Sequence, residues 1–337
     1  MIVLRKITLT SIAMKKMISL KNLFLAIFAS AALVSCGDDD NGSGTGRTNL
    51  AETLNSNGFT TFKAAADLAG VGERLTGSTK FTVLAPSNSA FDQFLLESGY
   101  SSIDAVPAAL LREVVLNHFI SGDVDGQALV TGYKKTQAKG SASTTSTLSV
   151  FINNDGSTIK LNGVSTITTA DLRASNGRIH IVDRVVPMPS VYTHIQANPA
   201  FSSFAAALQT YSSAQFAQTL SGNGPQSPYT VVVPTNEGMN NILNTLDVDN
   251  YSDIPEANLT KVLNYHILST AKLYSVITDG PYATLAGQNF TVQNTGGGKK
   301  ITDTQARVAN FTGTTTRDII ASNGVIHVID NGLLPGL

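Results

Sequence analysis

Ala174-Ser175-Asn176-Gly177-Arg178-Ile179-His180-Ile181-Val182-Asp183 returns later in the chain as Ala321-Ser322-Asn323-Gly324-Val325-Ile326-His327-Val328-Ile329-Asp330. The offset is 147 residues (327 − 180), the size of a domain rather than of a solenoid repeat. Two earlier blocks repeat at nearly the same distance. Phe81-Thr82-Val83-Leu84-Ala85-Pro86-Ser87-Asn88 answers to Tyr229-Thr230-Val231-Val232-Val233-Pro234-Thr235-Asn236, and the segment Leu111–His118 answers to Leu259–His266. Three blocks in one order at an almost constant offset identify a tandem duplication. Whatever the chain does has to be explained for two copies.

Each copy opens with a helical pattern, carried by Leu50, Leu54, Phe62, Ala65, Ala66 and Ala69 in the first and by Phe201, Phe204, Ala205 and Leu208 in the second. A short apolar strand follows, Phe81 to Leu84, stopped at Pro86 because proline lacks the backbone donor a ladder needs. Ser87 or Asn88 can cap a helix bearing Phe91, Phe94 and Leu95. Pro107 and Pro255 mark the start of another helix, on which Leu111, Val114, Val115 and His118 share one face. The rest of each copy reads as strands. Asn154-Asp155-Gly156 and Gly296-Gly297-Gly298 predict hairpin turns, and so does Ser-Asn-Gly at 175–177 and 322–324, with Asn176, Gly177, Asn323 and Gly324 as the turn residues. The closing strands are expected to run to Val186-Pro187 and Leu334-Pro335. Helices first and strands later, without regular alternation, predict an α+β fold in two domains, 49–189 and 190–337.

The N-terminus reads as an address. Lys15, Lys16 and Lys21 precede an apolar run from Leu23 to Val34, which suits a signal-peptide core and is shorter than the roughly 20 residues of a membrane span. Leu33-Val34-Ser35-Cys36 resembles a bacterial lipobox, so 1–35 is expected to be a lipoprotein signal peptide and Cys36, the single cysteine, the lipid attachment point. An ordinary secretory peptide with an incidental cysteine is the plainer alternative. The stretch 36–48, acidic at Asp38-Asp39-Asp40 and then rich in Gly and Ser, reads as a flexible tether. Its acidic start resembles the surface-export signal of Bacteroidetes lipoproteins. A net charge of −1 with 14% charged residues excludes a strongly basic nucleic-acid binder.

With these segments in view, the chain resembles the fasciclin-domain family. The resemblance rests on Thr82-Val83-Leu84-Ala85-Pro86-Ser87-Asn88-Ser89-Ala90-Phe91, on Tyr265-His266, and on the Asn-Gly-x-Ile-His-x-x-Asp segments, and it covers both copies almost end to end. It implies that each copy is a wedge-shaped β-sandwich with helices packed across one edge. Two departures stand out: Asn117 where the family has tyrosine, and Gly238-Met239 where Ala-Phe is usual. The adhesive role of the family's Tyr-His segment therefore transfers better to Tyr265 and His266 than to Asn117 and His118.

Four of the five histidines occupy paired positions, His118 with His266 and His180 with His327. Asp183 and Asp330 each follow the strand histidine by three residues, yet on a regular strand such residues face opposite sides. A buried histidine held by the backbone, with the aspartate bonding a turn amide, is expected instead of a catalytic pair. Two histidines per copy fall short of a zinc ligand set, so no metal and no other cofactor is expected beyond the lipid on Cys36. There is no Gly-x-Ser-x-Gly elbow, and Gly296-Gly297-Gly298-Lys299-Lys300 lacks the parts of a phosphate loop. The chain is thus read as a non-enzymatic, lipid-anchored protein of the cell surface or outer membrane, binding extracellular protein or matrix partners. An outer-membrane polysaccharide-binding accessory protein serving nutrient capture is the alternative. The absence of tryptophan removes the commonest sugar-stacking platform.

Overall fold

The computed structural model describes residues 47–222 and 224–337, all within one compact unit spanning Gly46–Leu337. The expected signal peptide, Cys36 and the tether up to residue 46 lie outside the described residues. Among the described residues no helix is long and apolar enough to cross a membrane.

The first repeat begins with helices Leu50–Ser56, Thr60–Leu68 and Glu73–Thr76. Asn49 caps the first of them in a reciprocal box with Glu52, which satisfies two of the orphan amides of a helix start. Strand Phe81–Pro86 is buried at every position because it is covered on both faces. It runs antiparallel to Phe119–Ser121 and parallel to the closing strand Gly177–Val182, with Leu84 opposite His180. Ser87 caps helix Asn88–Ser98 through its Oγ, and Gly99, at φ +75°, ends it in the left-handed region that glycine adopts without a Cβ clash. Helix Ala108–Leu116 follows, then strands Gly132–Gly140, Ser143–Asn154, Ile159–Leu161 and Ser165–Ala174 lead to the closing strand. These seven strands hydrogen-bond into a closed barrel.

The second repeat runs through the same order, from helices Val191–Ala197 and Ser202–Gln209 to closing strand Gly324–Ile329, itself parallel to Tyr229–Pro234. Its strands form two four-stranded sheets, one of 280–310 and one of 229–234, 267–268, 319–321 and 324–329. Closure turns on a few bonds. In the first repeat Ile120 pairs with Thr136 and joins the two halves; in the second the backbone link is one bridge, Phe311 to Ile329, and one bond from Leu285 N to Ile267 O, beside which the Asp330 carboxylate accepts from Asn310. The fold is α+β, with the sandwich sheets separate in one copy and joined in the other.

One sequence expectation is corrected. The closing strands end at Val182 and Ile329, ahead of the prolines, because Asp183 and Asp330 each tie the chain to the neighbouring strand at that point. Pro107 and Pro255 stand at the N-caps of their helices, at the starts the sequence assigns them.

The repeats meet along the first repeat's long hairpin, 132–154, and the second repeat's strand Ile319–Ala321 and helix Val191–Ala197. Ser149 Oγ accepts from Ile320 N (3.0 Å), Ser141 N donates to Ser322 O (2.8 Å), and Lys135 Nζ donates to Asp318 O (2.8 Å). A Cβ on Gly140 would lie 2.7 Å from the Ser322 Cα, so the hairpin tip must be glycine. Ile320 and Val325 pack into the first repeat's core, and the unpaired histidine, His194, stacks edge-on against Tyr133 at 5.3 Å. Burial holds the Lys135 ammonium down to about 8 and the His194 imidazole down to about 3.

Candidate functional site

His118 and His266 follow the ends of helices Ala108–Leu116 and Glu256–Asn264, where the last carbonyls lack intrahelical partners. Each ring turns back to fill that need: His118 Nδ1 donates to Val114 O (2.7 Å) and His266 Nδ1 to Val262 O (2.8 Å). The other nitrogen accepts a backbone amide from the chain beyond the closing strand, Val186 N at 2.9 Å and Leu333 N at 3.0 Å. An accepting Nε2 fixes the neutral tautomer with its proton on Nδ1. Both rings are fully buried, and burial lowers each to about 4.

The strand histidines use the opposite tautomer. His180 Nε2 donates to Val124 O (2.9 Å) and His327 Nε2 to Lys272 O (2.7 Å), while their Nδ1 atoms accept from Asp171 N and Asp318 N, both at 3.3 Å. Burial lowers both below the usual histidine value. Asp183 and Asp330 do not meet these rings; they accept from Thr166 N (2.6 Å) and Asn310 N (2.7 Å). Every nitrogen of the four paired rings is occupied by a backbone group, which leaves none to take a substrate proton or to ligate a metal. Among the described residues, no three His, Cys, Asp or Glu side chains gather in a group able to hold a metal ion.

The turn residues do more than turn. Asn176 Oδ1 accepts from Leu50 N (2.8 Å), and its Nδ2 donates to Leu75 O (3.0 Å) and Gly77 O (2.7 Å). Asn323 repeats this with Val191 N, Leu220 O and Gly222 O at 2.8–2.9 Å. One acceptor and two donors on a planar amide bind the start of the first helix and the end of the third to the final hairpin. Gly177 and Gly324 allow the parallel strand to approach: a Cβ would lie 1.9 Å from Phe81 O and 2.6 Å from Tyr229 O, respectively.

Tyr265 and His266 are fully buried, so a partner cannot touch either side chain in this fold. The Tyr265 hydroxyl donates to Asn289 O at 2.8 Å. Asn117, the shorter residue in its place in the first repeat, instead donates to Val186 O (3.1 Å) and Pro187 O (3.2 Å). Those two residues form one wall of an apolar cleft of about 410 Å³, against helix Asn88–Ser98 and Val114. Phe94, Leu110, Val164, Val185, Pro187 and Met188 line it, and an ion pair of Arg184 with Glu97 stands at the rim.

The second repeat closes the corresponding space. Gly332 N donates to Gly238 O (3.1 Å), and a Cβ on Gly332 would fall 2.4 Å from Ile242 Cδ1. The first repeat has Ala90 and Val185 at the aligned positions, and both line the cleft. Sequence reading noted Gly238 as a departure but missed the cleft. Its signal was the pair of glycines together, Gly238 and Gly332, set against Ala90 and Val185.

Comparisons with known proteins agree with this division. The fasciclin-domain family model matches residues 57–189 and again 199–335. Periostin of Homo sapiens is 28% identical over 84% of this chain, and the transforming growth factor-beta-induced protein ig-h3 of Sus scrofa is 29% identical over 86%. The chain spans 32% and 40% of the lengths of those two relatives. A solved FAS1 domain pair from the insect cell adhesion molecule fasciclin I is 20% identical, with a TM-score of 0.46, covering 85% of this chain and 95% of that one. Two matches to one family model, together taking in most of the chain, make this protein a member of the fasciclin-domain family that carries two copies of the domain.

Proposed function

We propose that this chain is an exported adhesion-type protein, held to the outer membrane or cell surface by lipid on Cys36, whose two fasciclin domains recognise extracellular protein or matrix partners. The observation that carries this reading is the use made of the paired histidines. All eight ring nitrogens are spent on backbone groups inside the fold, so the groups best suited to chemistry serve construction, and the outer surface is left to do the work. Two joined domains on one tether would add the contributions of two weak sites through effective concentration. Recognition near the Tyr265-His266 segment would involve the exposed residues around it, with the two side chains beneath as support.

A side-by-side screen of fragment 47–337 against matrix proteins, soluble polysaccharides and whole cells tests the reading. Binding to protein or to cells, without saturable binding of soluble glycan, is the expected result. Saturable binding of one glycan with no protein partner would replace adhesion by capture. Anchoring has its own check: Cys36→Ser should move the protein from the membrane fraction to the soluble fraction.

A further inference from the structure

The first repeat's cleft is a concavity without a role in the adhesive reading. Its volume of about 410 Å³ lies within the ~300–1,000 Å³ of sites that hold small organic ligands. Its wall is fixed before any ligand arrives, because Asn117 and His118 tie Val186 and Pro187 from behind through three hydrogen bonds. In the second repeat the wall at Gly332 packs directly on Ile242, whereas Ile242's counterpart in the first repeat, Phe94, is left lining an open apolar space. Around the mouth only Leu110 and Val164 are apolar and exposed, 39% and 44%; Gln93, Glu97, Ser98 and Arg184 make the rest polar. A pocket that anchors a protein partner is ringed by a wider contact surface. An isolated apolar slot with a polar rim fits a small amphiphile better.

The rim sets the head group. Arg184 Nη2 donates to Glu97 Oε1, and that same oxygen also accepts from Gln93 Nε2 at 2.7 Å. Glu97 thus keeps a partner when Arg184 turns toward another anion. Arg184 is half-exposed, and its planar guanidinium matches a carboxylate in bidentate geometry.

We propose that the first fasciclin domain binds one fatty-acid-like amphiphile, its aliphatic chain in the cleft between helix Asn88–Ser98 and the Val185–Met188 segment and its carboxylate on Arg184. Among the described residues of the second domain the corresponding space is closed by the Gly332–Gly238 contact, so the expected stoichiometry is one per chain.

The test is titration calorimetry of fragment 47–337 with hexadecanoate and with hexadecanol, both below their aggregation limits, on the parent protein and on Leu110→Glu, Val164→Glu and Arg184→Gln, each with a melting curve. Leu110 and Val164 lie at the mouth, so their replacement should leave melting unchanged. The expected result is saturable binding at one equivalent, weakened at least roughly tenfold by either mouth variant through the cost of a charge set against the chain. Arg184→Gln should weaken hexadecanoate by roughly tenfold, the worth of one charge-assisted hydrogen bond, and leave hexadecanol unchanged. No saturable binding, two equivalents per chain, or affinities indifferent to the mouth variants would overturn the proposal. So would loss of matrix-protein binding in Leu110→Glu and Val164→Glu while hexadecanoate fails to bind, since the occupant would then be a partner's side chain. The matrix screen of the parent protein reads adhesion separately, so either reading can fail without the other.

Discussion

The two fasciclin domains of this chain share their interior almost bond for bond and part company at one edge. Two histidines, one asparagine and one glycine make the same hydrogen bonds or close approaches in each copy. Where helix Asn88–Ser98 meets the chain after the closing strand, two side chains in one copy become two glycines in the other, and a cleft becomes a contact. The shared set defines what the fold requires. The difference marks where one copy has been free to change.

Gly177→Ala should have the largest effect. The new Cβ would sit 1.9 Å from Phe81 O, a backbone atom fixed by the parallel pairing, and a loss of more than about 4 kcal/mol is expected. Gly324→Ala, with 2.6 Å to Tyr229 O, should cost less, about 2–3 kcal/mol. Urea denaturation of both variants checks the ranking, and equal costs would break it.

Acid should destabilise both domains together. Burial puts His118 and His266 at about 4 in the folded chain, below the ordinary 6.5, so the unfolded chain takes up protons first as the pH falls. Stability is full above pH 6.5, declines from there to about pH 4, and levels off below, with up to about 3 kcal/mol lost per ring. Chemical denaturation at pH 7 and pH 5, followed by signals from each domain, measures this. One domain unfolding well before the other would show that the shared bonds are not of equal worth.

Asn176→Ala and Asn323→Ala should each cost about 3 kcal/mol, because each strands one amide and two carbonyls. Similar shifts in the denaturation midpoint are expected, and a gap of more than about 1 kcal/mol would break the equivalence. The smallest effect sharpens the edge at which the copies differ. Gly332→Ala should cost about 1–3 kcal/mol by pressing on Ile242 and Gly238 O, while Val185→Ala costs little beyond lost burial, since a cleft lies beside it. Thermal melts of the two compare them directly.

What was legible in the sequence was local or repeated. The hairpins at Asn154-Asp155-Gly156 and Gly296-Gly297 follow from turn chemistry within a few residues, and the separation of His180 from Asp183 follows from strand alternation. The rest depends on distance along the chain. Asn176 reaches Leu50 across 126 residues, and nothing near either residue announces the bond. The parallel pairing of the first and last strands of each copy joins segments nearly a hundred residues apart. Tyr265 and His266 carry the motif most easily read as an exposed contact, yet both lie in the core, because their polar atoms are matched by backbone groups that only the folded chain brings near.

The joint between the domains has a consequence for architecture. It is heterologous: one domain offers its long hairpin, and the other offers a short strand and its first helix. The second domain's counterpart of that hairpin, strands Gly280–Ala283 and Asn289–Thr295, keeps alternate positions in solvent along both strands. A contact of unlike faces does not close on itself after two units, as a two-fold contact would. The geometry that joins this pair is therefore one that repeats rather than pairs off: a further domain docked as the second is would continue the same step and turn.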